Sequence, residues 1–300
     1  MINFRDPDGK LYVCCTWVSI AFIIVPSVVS MTYLVAMAPS EAYVLTSGKE
    51  QIGVWLPLIS GIVFLVCLII LILDIRKRLK DCPSEDRDKC LMRAPLSKAG
   101  ILFCITAFLS IVVMLFSDLI GESISTSMMD GLTNYEIMVQ LMIAGPEEEF
   151  LCRALMIGVP IAVISFIKGY KGSIKYIFGG FGMSKAALIL LVISSTAFGL
   201  LHLDGWSIMK FPDTFISGIL FGYVYIQYGI HSTIVMHSAF DLMAGFDFFC
   251  EGLGTVPMAI ACILGAILLV RSIIRFREYI PKNNMHEPFD GNLLQMWSRS

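Results

Sequence analysis

The stretch EIMVQLMIAGPEEEFLCRALMIGVPIAVISFI, residues 136–167, decides the fold. It is longer than the ~20 apolar residues that cross a bilayer, yet it carries Glu147, Glu148, Glu149 and Arg153 near its middle. In a soluble protein such a run of charge would be a solvated helix face. At mid-bilayer each ionised side chain costs about 2.5–3.5 kcal/mol on insertion scales, so the group would cost on the order of 10 kcal/mol if unpaired. That cost demands partners elsewhere in the chain.

The setting is a membrane. The 300-residue chain is 57% hydrophobic and 15% charged, with mean hydropathy +0.78. Its apolar residues gather in runs at about 11–38, 52–74, 99–120, 136–167, 186–203, 213–230, 231–249 and 256–274. This predicts an all-α fold, a polytopic transmembrane helical bundle of about eight spans. The expected organisation is a single integral membrane domain: three N-terminal spans over 1–135, a core over 136–250, and a last span with a polar tail over 251–300. Ala36 and Ala38 before Pro39 resemble a signal-peptidase site, but the first run is about twice the ~7–15 residues of a signal h-region, so it reads as an uncleaved span.

Charge gives orientation and excludes one class of partner. The net charge is -2, with no basic tract interleaved with aromatics, so no nucleic-acid partner is expected. The basic connections RKRLKDCPSEDRDKCLMRAPLSK, KGYKGSIK and RSIIRFREYIPK all fall on one side of an eight-span bundle, together with Arg5 and Lys10. By the positive-inside rule both termini are expected in the cytoplasm. The nine cysteines are odd in number and mostly lie inside apolar runs, which is not a disulfide framework. Cys82 and Cys90 bracket a basic loop where a metal clip is conceivable, although no close CxxC pair supports it.

Part of the offset for the buried charges is expected locally. Gly145–Pro146 reads as a helix break, which would put the three glutamates in a first helical turn where the dipole favours them. Glu149 and Arg153 are four apart, a ready ion pair. Glu147 and Glu148 then still lack partners. His202 ends one apolar run, and His237 and Asp241 lie one turn apart on a face of another, so three separate spans can deliver ionisable groups to one polar site. His231 reads as a cap or interface residue, and His286 in the tail has no assigned role.

The residues EEFLCR (Glu148, Glu149, Arg153), FGLLH (Phe198, His202) and HSAFD (His237, Asp241) resemble, in order, the EExxxR, FxxxH and HxxxN/D motifs of the CPBP (CAAX protease and bacteriocin-processing, Abi) family. The chain looks most like the type II CAAX prenyl endopeptidases, over about residues 140–245. The resemblance implies an eight-helix intramembrane endopeptidase in which Glu148 is the general base and shares a water with His202. His237 and Asp241 would then stabilise the oxyanion, with Glu149, Arg153 and Phe198 in support. The implied partners are membrane lipid and a peptide or lipidated-protein substrate, and the implied location is the cell membrane, or the endoplasmic reticulum in a eukaryote. Zinc held by Glu148, His202 and His237 is an alternative, but HExxH is absent and the metal-free glutamate reading is preferred.

Two difficulties accompany this reading. In straight spans His202 and His237 would differ in depth by roughly 15 Å at 1.5 Å per residue, unless helices tilt or the segment LDGWSIMKFPD, 203–213, is re-entrant. Intramembrane Glu, His and Asp also mark proton- or ion-coupled transporters, although no inverted repeat is present, and a non-catalytic immunity protein could use the same fold. The terminal QMWSRS lacks a CaaX cysteine, so the chain is not expected to be its own substrate.

Overall fold

The computed structural model describes residues 10–47, 55–126, 128–249 and 252–279. Arg5, the polar tail after Pro281, His286 and the terminal QMWSRS lie outside them. The apolar runs become helices α1 (Lys10–Ser47), α2 (Trp55–Asp81), the short α3 (Arg87–Arg93) and α4 (Pro95–Leu119). A compound rod follows, made of α5 (Asn134–Glu149), a π-helical segment (Phe150–Gly158) and α6 (Val159–Ile167). The remaining helices are α7 (Lys185–Leu201), α8 (Lys210–Tyr228), α9 (Ile230–Gly245) and α10 (Thr255–Tyr279). Among the described residues there is no strand, only an isolated bridge between Thr126 and Trp206.

The protein is an all-α integral membrane bundle. Among the described residues, six helical rods are long and apolar enough to cross a membrane. Helix α9 is too short for that standard at 16 residues and α8, which begins Lys-Phe-Pro-Asp, is too polar; both bury polar side chains, Asp213, Thr214 and Ser217 on α8, and Thr233, His237 and Ser238 on α9. The outer surface is correspondingly apolar, with Leu58, Ile62 and Leu73 of α2 and Phe166 of α6 exposed where acyl chains would meet them. The main core packs α1, α4, α5, α8, α9 and α10 through Phe103, Met138, Phe221, Val235 and Leu264.

The helix break expected at Gly145–Pro146 is absent. Helix α5 runs through Pro146 to Glu149, and its start lies at Thr133. There the hydroxyl accepts from the Glu136 N–H while the Glu136 carboxylate accepts from the Thr133 N–H, a capping box. The three glutamates therefore sit at the far end of α5, out of reach of an N-terminal dipole, and only side-chain partners can offset their burial.

Gly145 serves close packing instead. A Cβ there would stand 2.1 Å from Ser238 Oγ and 3.1 Å from Ser238 Cα, so glycine is what lets α5 and α9 touch. Gly145→Ala is expected to push the two helices apart and destabilise the protein by about 1–3 kcal/mol, read as a lower melting temperature in detergent. An unchanged melt would show that the crossing has slack.

Cys82 and Cys90 form a disulfide across the turn Ser84–Asp86, not a metal clip. The other cysteines described, Cys14, Cys15, Cys67, Cys104, Cys152 and Cys262, are free. The bridge lies in a connection whose basic charge points to the cytoplasm, a compartment that keeps most such pairs reduced. The two indications of sidedness disagree.

Candidate active site

The buried end of the site is built around Glu149. This carboxylate is fully buried and collects three partners from two helices. Thr233 Oγ1 donates to Oε2 at 2.8 Å, His237 Nδ1 lies 2.8 Å from Oε1, and Arg153 Nε lies 3.2 Å from Oε2. The Arg153 contact is an ion pair without hydrogen-bond alignment, and Nε and Nη2 have no hydrogen-bond partner among the described residues. The guanidinium is held instead by Nη1 donating to Ser194 Oγ at 2.9 Å and by the Phe198 ring, 4.9 Å from its central carbon.

The π-helical segment explains why Ser194 is there. Helix widening redirects carbonyls away from the i→i−4 ladder, and the Cys152 carbonyl accepts from Ser194 Oγ at 2.5 Å. One hydroxyl thus ties α7 to a backbone group of the π-segment and to the arginine beside it. Gly222 of α8 makes room for Leu191 of α7, whose Cδ1 would stand 2.3 Å from a Cβ there, while such a Cβ would only touch the arginine, at 3.7 Å.

Glu148, one residue earlier, points the other way, toward the open end of the site. Its side chain is 31% exposed, but Oε2 itself is buried and has no hydrogen-bond partner among the described residues. That oxygen lies 3.8 Å from His202 Nε2 and 3.8 Å from His237 Nε2. Both imidazoles are oriented from behind: His202 Nδ1 lies 2.8 Å from the Phe198 carbonyl, which can only accept, and His237 Nδ1 lies against Glu149. Asp241 Oδ2 is 3.3 Å from His237 Nε2. Phe198 packs against both rings, at 4.7 and 5.8 Å between centroids, and Phe221 stacks on His237 at 4.6 Å.

The depth difference expected between His202 and His237 is thereby removed, since both reach the same oxygen. Helix α7 ends at Leu201, so His202 opens a 3-10 turn at the mouth of the site. Helix α9 starts at Ile230, so His237 stays about two turns from its beginning. The segment 203–213 is not a deep re-entrant loop. It is a turn and the start of α8, pinned to residues 125–126 by Thr126 Oγ1 donating to the Gly205 carbonyl at 2.7 Å and by the Ser207 N–H donating to Ser125 O at 3.0 Å.

Residues 131–243 match the family model described as Rce1-like, type II CAAX prenyl endopeptidase Rce1-like. The match supports a relation of this segment to the CAAX proteases. No curated protein and no solved structure matches the chain. The matched segment runs from just before Thr133 to just beyond Asp241, so it spans all seven residues named from the three motifs.

Sequence reading located those residues but missed Thr233 and Ser194. Each is a small hydroxyl in an apolar run, one helical turn before His237 and two turns before His202 respectively. In an apolar span such a hydroxyl usually bonds back to its own helix, as Ser195 does to Leu191, so nothing in the sequence marked these two. Glu147, left without a partner in the sequence, is exposed. Among the described residues no group of three His, Cys, Asp or Glu side chains is disposed to hold a metal ion.

Proposed function

We propose that the protein is an intramembrane endopeptidase that cleaves lipidated, CaaX-type protein tails with a water activated by Glu148, without a resident metal. The observation that carries this reading is the unpartnered Glu148 Oε2 facing two imidazole Nε2 atoms, each 3.8 Å away. A water bound to Oε2 is within reach of His202, and His202 can orient it because its Nδ1 is already committed to Phe198. Glu148 takes a proton as the water oxygen bonds to the scissile carbonyl carbon. The carbonyl π pair moves to oxygen, and His237 stabilises that oxyanion through Nε2, with Asp241 beside it. Collapse breaks the C–N bond, and the proton held by Glu148 passes to the leaving amine. Two buried partners, Thr233 and Arg153, keep Glu149 in place behind His237.

A farnesylated CaaX peptide incubated with the purified protein in detergent is expected to be cut after the prenylated cysteine. No cleavage, together with solute uptake by proteoliposomes, would replace the peptidase with the transporter reading.

Asp241→Asn tests the metal-free mechanism. The amide can face His237 as the carboxylate does and adds an N–H donor for the oxyanion, so activity is expected to be retained or raised. Loss of activity in this variant, together with about one zinc per chain in the parent protein, would show that the charge of Asp241 serves a metal site.

A further inference from the structure

Lys210 is not used by the mechanism above, yet it stands beside it. Helix α7 hands over to the His202 turn and α8 begins at Lys210, so the lysine lies at the same end of the bundle as His202. Lys210 is tied to the site through Trp206, whose ring lies under its ammonium and whose backbone N–H donates to the His202 carbonyl at 3.1 Å. It donates to Asp213 Oδ2 at 2.8 Å and sits 4.6 Å over the Trp206 ring, with 20% of its side chain exposed. An ammonium has three donors, and Asp213 accepts one of them. The Trp206 shelf is fixed, because the 205–207 backbone is bonded to residues 125–126.

The ground around this lysine is acidic. Glu148, Asp204, Asp213 and Asp241 supply carboxylates, whereas Lys210 is the one Lys or Arg in the connection 203–213. Asp213 is 8% exposed, and its Oδ1 is buried without a hydrogen-bond partner among the described residues. A groove of about 440 Å³ begins one residue past His202 and is lined by Ser125, Thr126, Leu203, Asp204 and Trp206, among others. It shares Trp206 with the shelf that carries Lys210. An anionic peptide tail entering this mouth is repelled by the carboxylates unless a cation meets it.

We propose that Lys210, held by Asp213 over Trp206, is a specificity determinant that receives the free C-terminal carboxylate of the substrate. The inference rests on the peptidase reading. A CaaX tail ends three residues beyond its cysteine, so its carboxylate lies roughly 10 Å past the scissile bond when extended at 3.3–3.6 Å per residue. The groove and the lysine would read both the charge and the length of that tail. Asp213 is a positioning residue in this arrangement.

Two farnesylated peptides of identical sequence test this, one ending in a carboxylate and the other in an amide. Wild-type protein is expected to cleave the acid about tenfold more efficiently, the scale of one charge-assisted hydrogen bond, with the difference in KM. In Lys210→Met the acid-to-amide ratio is expected to fall to about one. Equal cleavage of the two peptides by wild type, or a ratio preserved in Lys210→Met, would overturn the inference while leaving the peptidase standing. An equal loss for both peptides with a lower melting temperature would make Lys210 merely structural.

Binding to the Glu148→Gln protein separates failure of the inference from failure of the peptidase reading. Tighter binding of the acid peptide, abolished by adding Lys210→Met, would keep the carboxylate site even if the wild-type protein cleaved neither peptide. Equal binding of acid and amide would reject the site whatever the cleavage assay gave.

Discussion

Glu148→Ala and His202→Ala are each expected to abolish peptide cleavage while leaving the protein folded in the membrane. Loss of a general base alone costs about 10²- to 10⁴-fold in rate, and more when the attacking water is also misplaced. The fold should tolerate both changes. Glu148 makes no hydrogen bond to the described residues through its buried Oε2, so removing it strands no partner. His202 gives up one bond to the Phe198 carbonyl and a ring contact at the mouth of the site. Activity should therefore vanish with melting temperatures close to wild type. Near-wild-type cleavage by either variant would remove the proposed mechanism.

The same contrast shows what the sequence could disclose. Helical periodicity was enough to pair Glu149 with Arg153 and His237 with Asp241, each pair four residues apart, whereas Phe198 was named only through the family resemblance. The high cost of charge in an apolar run was enough to make three distant spans converge. The π-helical segment was not legible, since Phe150–Gly158 has the composition of any buried helix. Pro146 was misread because proline ordinarily ends a helix, whereas here the rod continues and Gly145 marks a helix contact. Depth was misjudged for a related reason. Straight spans were assumed to set the two histidines apart in depth, but both reach within 3.8 Å of Glu148 Oε2.

The division of labour between the two adjacent glutamates follows from burial. Glu148 meets the open end of the site with an uncommitted oxygen, while Glu149 is enclosed and fully engaged with Thr233, His237 and Arg153. Neighbouring residues on a helix face about 100° apart at 3.6 residues per turn, so one carboxylate can act on substrate while the next holds the frame. The histidine between them meets both: Nδ1 faces Glu149 and Nε2 faces Glu148, where the proposed mechanism puts the reaction.

Arg153→Ala is expected to damage stability as well as activity. The guanidinium is fully buried and neutralises Glu149, which is fully buried too. Removing one member of such a pair leaves the other charge uncompensated in a low-dielectric interior, a loss of about 3–5 kcal/mol. Two further contacts go with it. Ser194 loses the donor on its hydroxyl, and Phe198 loses the cation over its ring, so the face of α7 that carries His202 loosens. A thermal melt in detergent should fall well below wild type, with cleavage reduced because Glu149 no longer fixes His237. Ser194→Ala offers a graded comparison, since it keeps the ion pair and deletes only the tether to the Cys152 carbonyl and Arg153 Nη1. Its melt should fall less than that of Arg153→Ala. If Arg153→Ala were inactive with an unchanged melting temperature, the arginine would act on the reacting groups directly and the frame would be held by Thr233 and His237 alone.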